Sequence, residues 1–593
     1  MGIGQVKILC KTGITIFPEN KPPKKSKEMK RTAIIKYVVI ILPLVFLWAG
    51  LNFNRNNYPN DPEYIYLMNA LCICSGQSVG HVDNPGTTLI QFGAGTIELM
   101  HLFSNTNYET AVEHVLKEPN EFIEGIRKAI VILNTFFLLF LGWFVLKKTK
   151  SVWTALFFQI STFLSAYILE VTWASLSPEP LLFSITGIYV ILVLNYYMEE
   201  NKNQWKYVIY FALITGAGLA TKATFLPLVL LPVFILPTVK KKLLFLAGIV
   251  PSFVLFTIPV IPEYKGMYFW FRNMIWHSGI YGHGEKGIID LKTYFPGILN
   301  ILANNLLIPI VLGAGILVIL TGYFFRKKQD MDRDFKFLSG LLITFLFGTL
   351  LVAKHYGGNH YLIPVILLSG ITFFIIFNII KRILNSKALN ALLLPVIVVA
   401  CIVFIAWHHP RKLIITNRQY KAASEEIDVA NKWVEKNYGE YTRINYYIYS
   451  INKFTGLKFG NDFAKGKMLS YLRELYPKTY FYELSSDRYI NWNIETNLHD
   501  IVKTNGKKIL LMNAPANPAQ IEEMERRGFP LKQVYKGDAQ NIYILDTLKY
   551  TPPDKENIVQ IGTTIKFDTE IFSEDGKYFL GSNSEIFGPV NAL

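Results

Sequence analysis

Carboxylates and isolated cations at the ends of apolar runs are the residues of this chain that can do chemistry. Asp61-Pro62-Glu63-Tyr64 follows the first apolar run and opens a long polar, aromatic-rich segment. A carboxylate at a membrane surface can act as a general base on a hydroxyl presented there. The same residues read as a helix start, with Asp61 as N-cap, Pro62 at the first helical position and Glu63 in the first turn. The two roles are compatible. Asp83 is the second acid, within His81-Val82-Asp83-Asn84-Pro85-Gly86. Asn-Pro-Gly is turn chemistry, so Asp83 is either aimed back toward Asp61 by a rigid turn or is an ordinary turn residue. Glu179, in Ser177-Pro178-Glu179-Pro180, either faces the same cavity or complements a helix dipole.

The cations are equally placed. Lys222 stands alone between two apolar runs with almost no loop. Ionisable groups at that depth are functional or paired; snorkelling to the interface is the plainer alternative. Lys354-His355-Tyr356-Gly357-Gly358-Asn359-His360-Tyr361 lies at another outer boundary. A lysine and two histidines suit a phosphate, and an aromatic belt with incidental histidines is the other reading. Arg272 lies after the seventh run, near His277 and His283. Lys222 and Lys354 are expected to hold one phosphate from opposite walls of a cavity. His81 and Tyr361 are expected to line that cavity.

The elements that must position these residues are membrane spans. The 593 residues are 51% hydrophobic and 18% charged, with mean hydropathy +0.27. That is too apolar for a soluble protein and too charged to be membrane throughout. The formal charge of +16 falls in short clusters between apolar runs, which is an orientation signal rather than a nucleic-acid face. Ile34–Leu51 is the first run, and runs at about 129–146, 152–169, 180–197, 206–221, 224–239, 243–262, 297–325, 335–353, 362–380 and 388–407 follow. About eleven spans are expected. Lysines and arginines before Ile34, and in the loops at 147–150, 199–206, 240–242, 326–328 and 381–387, put the N-terminus in the cytoplasm. An odd count then puts the C-terminal region outside, and losing either 206–221 or 224–239 would invert every later loop. Cys10, Cys72, Cys74 and Cys401 form no disulfide framework. The first run lacks a small-residue cleavage site and reads as a retained anchor.

The expected layout is a cytoplasmic tail (1–33), a membrane region (34–407) with a long first external loop (52–128), a soluble α/β domain (408–550) and a short β-rich tail (551–593) that reads as an incomplete β-unit. Gln419–Asn437 and Pro518–Arg527 have helical character, and Thr442–Ser450 and Lys507–Met512 read as strands. Thr87–Phe103 is expected to lie along the membrane surface as a helix. Thr563–Phe567 and Lys577–Leu580 look like short strands.

These parts, in this order, resemble GT-C-type membrane glycosyltransferases, the protein O-mannosyltransferase and aminoarabinose-transferase-like group. The matching pieces are Asp61-Pro-Glu-Tyr64, Asp83-Asn-Pro-Gly86, Ser177-Pro-Glu179, Thr221-Lys222, Lys354-His355 and His360-Tyr361-Leu-Ile-Pro364, within roughly residues 35–407. The first motif is Asp-Pro-Glu rather than adjacent Asp-Glu, which leaves the role of Glu63 open. The resemblance implies a polyprenyl-phosphate sugar donor, an inverting displacement and an extracytoplasmic active site in the plasma (inner) membrane. Asp61 would be the base, and Lys222, Lys354, His355, His360 and Arg272 would hold the departing phosphate. The acceptor would be a glycan, lipid or protein. No cofactor is required, although Asp61 and Asp83, with Glu63 and His81, are oxygen-rich enough to take a divalent cation. The nearest rival is a metal-dependent oligosaccharyltransferase or polysaccharide ligase; a lipid or sugar transporter and a surface-assembly scaffold are more distant.

Overall fold

A computed structural model of the chain describes residues 37–54, 62–199, 204–282, 284–324, 332–355, 359–384, 387–447, 452–483, 486, 488–514, 518–526, 528–537 and 540–550. Asp61 and the 551–593 tail lie outside them.

Among the described residues, six helices are long and apolar enough to cross a membrane, or eight if each of two bent pairs is one span. Several of the expected runs are interrupted locally. The 152–169 run is two helices, Val152–Ser161 and Ala166–Ala174, bent by 70°. At the break, the Ser161 and Thr162 hydroxyls donate back to the Phe158 and Gln159 carbonyls at 2.9 and 2.7 Å, which competes with helix continuation. The 224–239 run starts as a 3-10 turn, Ala223–Val229, and continues only as Leu230–Ile235; Pro227 and Pro232 remove amide donors there. Val239–Phe256 turns by 94° into Ile258–Trp276. The 297–325 run breaks at Asn305, between Leu291–Asn304 and Leu307–Phe324. Hydropathy measures composition and is blind to such breaks.

Other expectations match the structure. Pro178–Met198 and Gln204–Thr221 are helices, and the second stops where expected, at Lys222, whose backbone is extended (φ −161°). Thr87–Leu102 is a helix. The expected boundary at 408 falls inside one continuous helix, Lys387–Tyr438, of 52 residues, roughly 78 Å at 1.5 Å per residue. His409 reaches the Phe163 carbonyl at 2.8 Å, and the Tyr420 hydroxyl donates to Glu170 at 3.1 Å. The polar part of the helix is thereby tied to the bent 152–174 segment.

The C-terminal unit is α/β. Its strands are β1 (Thr442–Tyr447), β2 (Thr479–Glu483), β3 (Arg488–Asn491), β4 (Ile494–Thr496), β5 (Ile509–Ala514), β6 (Leu531–Lys536) and β7 (Asn541–Leu545). They form one sheet in the order β4-β3-β2-β1-β5-β7-β6. The centre, β2-β1-β5, is parallel and both edges are antiparallel.

This unit does not stand apart from the first long loop, residues 52–128. Helix Lys453–Phe463, started by an Asn452–Thr455 capping box, lies against helix Glu63–Cys74. Leu67, Met68 and Val115 share one buried cluster with Leu457, Met468, Phe481 and Trp492. Two glycines permit the approach. A β-carbon at Gly456 would sit 2.5 Å from the Tyr64 ring, and one at Gly460 would overlap the Tyr64 carbonyl. Gly460→Val should therefore cost roughly 1–3 kcal/mol of stability and expose the joint to limited proteolysis. Gly95→Ala, which meets nothing within 4 Å, should leave both unchanged. Equal melting temperatures for Gly460→Val and the parent protein would mean that the two units are not packed together.

Candidate active site

The site forms where two membrane helices end and the first loop folds over them. Pro178 and Pro180 open the Pro178–Met198 helix, putting Glu179 in its first turn. Glu179 is buried, at 2% exposure, and so is Lys222, at 5%. The Lys222 ammonium donates to Glu179 Oε1 in a direct ion pair. His360 Nε2 is 3.9 Å from the same oxygen. Lys222 Nζ also sits 4.4 Å from the centre of the Tyr361 ring, a cation–π distance. The Tyr361 hydroxyl shares a hydrogen bond with that of Tyr281. Three parts of the chain, far apart in sequence, thus surround one buried charge pair.

The first loop closes over the break at Lys222. The Gly86 amide donates to the Thr221 carbonyl at 3.2 Å, and the Thr88 and Thr221 hydroxyls are 2.6 Å apart. Gly86 adopts φ +64° directly against the Tyr66 ring, so only glycine suits it. Asn69 accepts from the Gly80 and His81 amides at 2.9 and 3.0 Å, which fixes the other end of the loop. Burial pushes the His81 imidazole down to about 4, against a hydrogen bond with the Asp83 backbone and with help from the Lys222 charge. His81 is therefore neutral at pH 7. Burial pushes the Asp83 carboxyl up to about 6, with the Lys465 ammonium opposing it. That range suits a group taking up a proton near neutral pH.

The C-terminal unit supplies one wall. The Phe463 ring packs edge-on against His81 at 5.7 Å. Lys465 pairs with Glu263, while Lys467 donates to the Ser78 carbonyl and hydroxyl at 2.9 and 2.8 Å. Sequence reading missed this wall because nothing local marks residues 463–467 as neighbours of the first loop. It also missed Tyr281 and Arg127. The Arg127 guanidinium, 1% exposed, holds the carbonyls of Gly50 and Trp173 and joins the first helix to the bent pair. Its one signal is a lone arginine at the edge of the 129–146 run.

The structure brings together His81, Asp83, Glu179, Lys222, His360 and Tyr361. Glu63 is not a solvated helix-start residue: it is 1% exposed and accepts from the Leu176 amide at 3.3 Å, two residues before Pro178. Lys354 Nζ donates to the carbonyls of Met274 and Ile275 at 3.1 and 2.9 Å. Arg272 is exposed, over the Phe269 ring. Both belong to the neighbourhood of helix Tyr264–Trp276 rather than to contacts of the Lys222 pair. His355 ends the Asp332–His355 helix. Among the described residues, no three His, Cys, Asp or Glu side chains gather as a metal-binding group.

No protein-family model matches the chain, and no curated protein matches it. Among solved structures it is similar to ArnT from Cupriavidus metallidurans, crystallised bound to undecaprenyl phosphate. The identity is 11% and the TM-score 0.46, over 87% of this chain and 99% of that one.

Two measurements probe the charges. Removing one member of a buried pair strands the other, at roughly 3–5 kcal/mol. Lys222→Met and Glu179→Leu should each be strongly destabilised, and the double variant less so than either. Additive losses in thermal melting would show that the two side chains are independent. For Asp83, the folded pKa of about 6 exceeds the ordinary 3.8, so the folded protein holds this proton more tightly. Stability from this group falls as pH rises from about 4 to about 6 and stays reduced above. Asp83→Asn should melt higher than the parent protein at pH 8 and alongside it near pH 3. A lower melting temperature at pH 8 would rule out a carboxylate held under strain.

Proposed function

We propose that this chain is a membrane glycosyltransferase that moves a sugar from a polyprenyl-phosphate donor to an acceptor hydroxyl on the extracytoplasmic face. The observation that carries the reading is convergence. The Asp83 loop, Glu179, Thr221-Lys222 and His360-Tyr361 were separate motifs in the sequence, and they meet at one end of the helices around a buried ion pair.

The chemistry follows from the group types. A base takes the acceptor proton as its oxygen attacks the anomeric carbon. The bond from that carbon to the lipid phosphate breaks, and the anomeric centre inverts. Asp61 is the proposed base, with Asp83 and Glu63 as the other carboxylates of the first loop. Lys222 is the proposed partner of the leaving phosphate. Glu179 holds its ammonium in place and shares its charge, so His360 and the Tyr281 hydroxyl are the natural additional donors. Such donors count most in a partly dry site. Lys354, His355 and Arg272 are proposed as further phosphate contacts, although Lys354 and Arg272 lie beside helix Tyr264–Trp276 rather than on the Lys222 pair, and the proposed acceptor is a glycan, lipid or protein.

The test uses membranes containing the full chain and a radiolabelled polyprenyl-phosphate sugar, with and without a chelator. Sugar transfer is expected, and Asp61→Asn should lower turnover by roughly 10²–10⁴-fold while donor binding persists. Turnover near that of the parent protein in Asp61→Asn would move the base to Asp83 or Glu63. Loss of transfer on chelation would favour the metal-dependent ligase. Absence of any transfer would reject the transferase reading.

A further inference from the structure

A second cavity lies at the other end of the helices. Glu179 and Tyr197 are both on Pro178–Met198, 18 residues and roughly 27 Å apart along the axis. Around Tyr197 is a cavity of about 800 Å³. Its floor is polar and built. Asp334, 2% exposed, accepts from the Tyr197 hydroxyl at 2.7 Å and pairs with Arg382 at 2.9 Å. Asn378 donates to the same hydroxyl at 3.3 Å. Four cations line the cavity, Lys148, Arg333, Lys381 and Arg382, and Asp334 is the one carboxylate among the described lining residues.

The charge balance favours an anion, and the geometry favours one on a lipid. The cations come from the ends of three apolar helices, so they sit at a membrane boundary. One wall is formed by Ala391, Leu394 and Pro395 of Lys387–Tyr438. The apolar window of that helix is only 11% buried, and Leu392 and Val396 are more than 60% exposed. The cationic cavity therefore runs into a surface that faces hydrocarbon. We propose that it holds the phosphate headgroup of an anionic phospholipid, with an acyl chain along Ala391–Pro395. Basic pockets between membrane helices recognise such headgroups by charge. Simple clustering of boundary lysines would give cations without the Asp334–Tyr197–Asn378 floor.

The test measures binding of phosphatidylglycerol to the purified full chain in neutral detergent, by native mass spectrometry and by the shift in melting temperature. Phosphatidylcholine, inorganic phosphate and glycerol phosphate are the comparison arms. Saturable binding of phosphatidylglycerol is expected, weakened at least about tenfold by Arg333→Gln/Lys381→Gln. Lys240→Gln/Lys242→Gln removes the same charge outside the cavity and should change binding less than about twofold. Ala391→Trp, which fills the cavity without altering charge, should weaken binding as the charge variant does. Equal losses in the two charge variants, equal binding of phosphatidylcholine, or no effect of Ala391→Trp would each overturn the proposal. Displacement of the lipid by inorganic phosphate or glycerol phosphate at matching concentration would replace it with a soluble-phosphate site.

Discussion

The buried pair of Lys222 and Glu179 is the constraint on which this end of the structure depends. Neither charge tolerates burial alone, so both helix ends must arrive together. Glu179 is delivered by a proline-started helix, and Lys222 by a helix that stops and passes through one extended residue. Tyr361 then lies on the ammonium, and the first loop binds the Thr221 backbone one residue away. An ammonium already satisfied by a carboxylate is a poor general anion trap. It discriminates in favour of groups that can share the charge and reach further donors, as a phosphate can.

The C-terminal unit is part of the same construction. Its Lys453–Phe463 helix fits the first loop through two glycines, and the chain just beyond brings Phe463, Lys465 and Lys467 to the residues around His81 and Asp83. The pKa of Asp83 thus depends on a residue nearly four hundred positions later. Its burial raises the pKa, and Lys465 limits the rise. One carboxyl is tuned by the first loop and the C-terminal unit together.

Much of this was legible in the sequence where one residue type had one local meaning. The stop at Lys222, the turn at Asn84-Pro85-Gly86, the strands near 442 and 509 and the helix from Pro518 follow from apolar runs, turn residues and caps. The interruptions inside single apolar runs do not, because the Ser161 and Thr162 hydroxyls and the prolines near 227–232 interrupt helices without lowering hydropathy. The unbroken helix across the expected boundary at 408 is the converse case: the apolar run ends near 407, yet Lys387–Tyr438 continues through Pro410. The edge strands β3, β4, β6 and β7 are short, and tertiary pairing decides them. Lys222 was read as an unusual cation, but its partner was not, since Glu179 also explains itself as a helix-start residue. Asp61, the residue on which the sequence argument leaned most, lies outside the described residues, as does the 551–593 tail.

The 52-residue helix Lys387–Tyr438 has a mechanical consequence. It joins the membrane region to the sheet without a linker, and helix Lys453–Phe463 fastens the same unit to the first loop. A cap joined by a continuous helix at one side and by a packed wedge at the other is fastened at two points. Opening it like a lid would require unpacking a shared core.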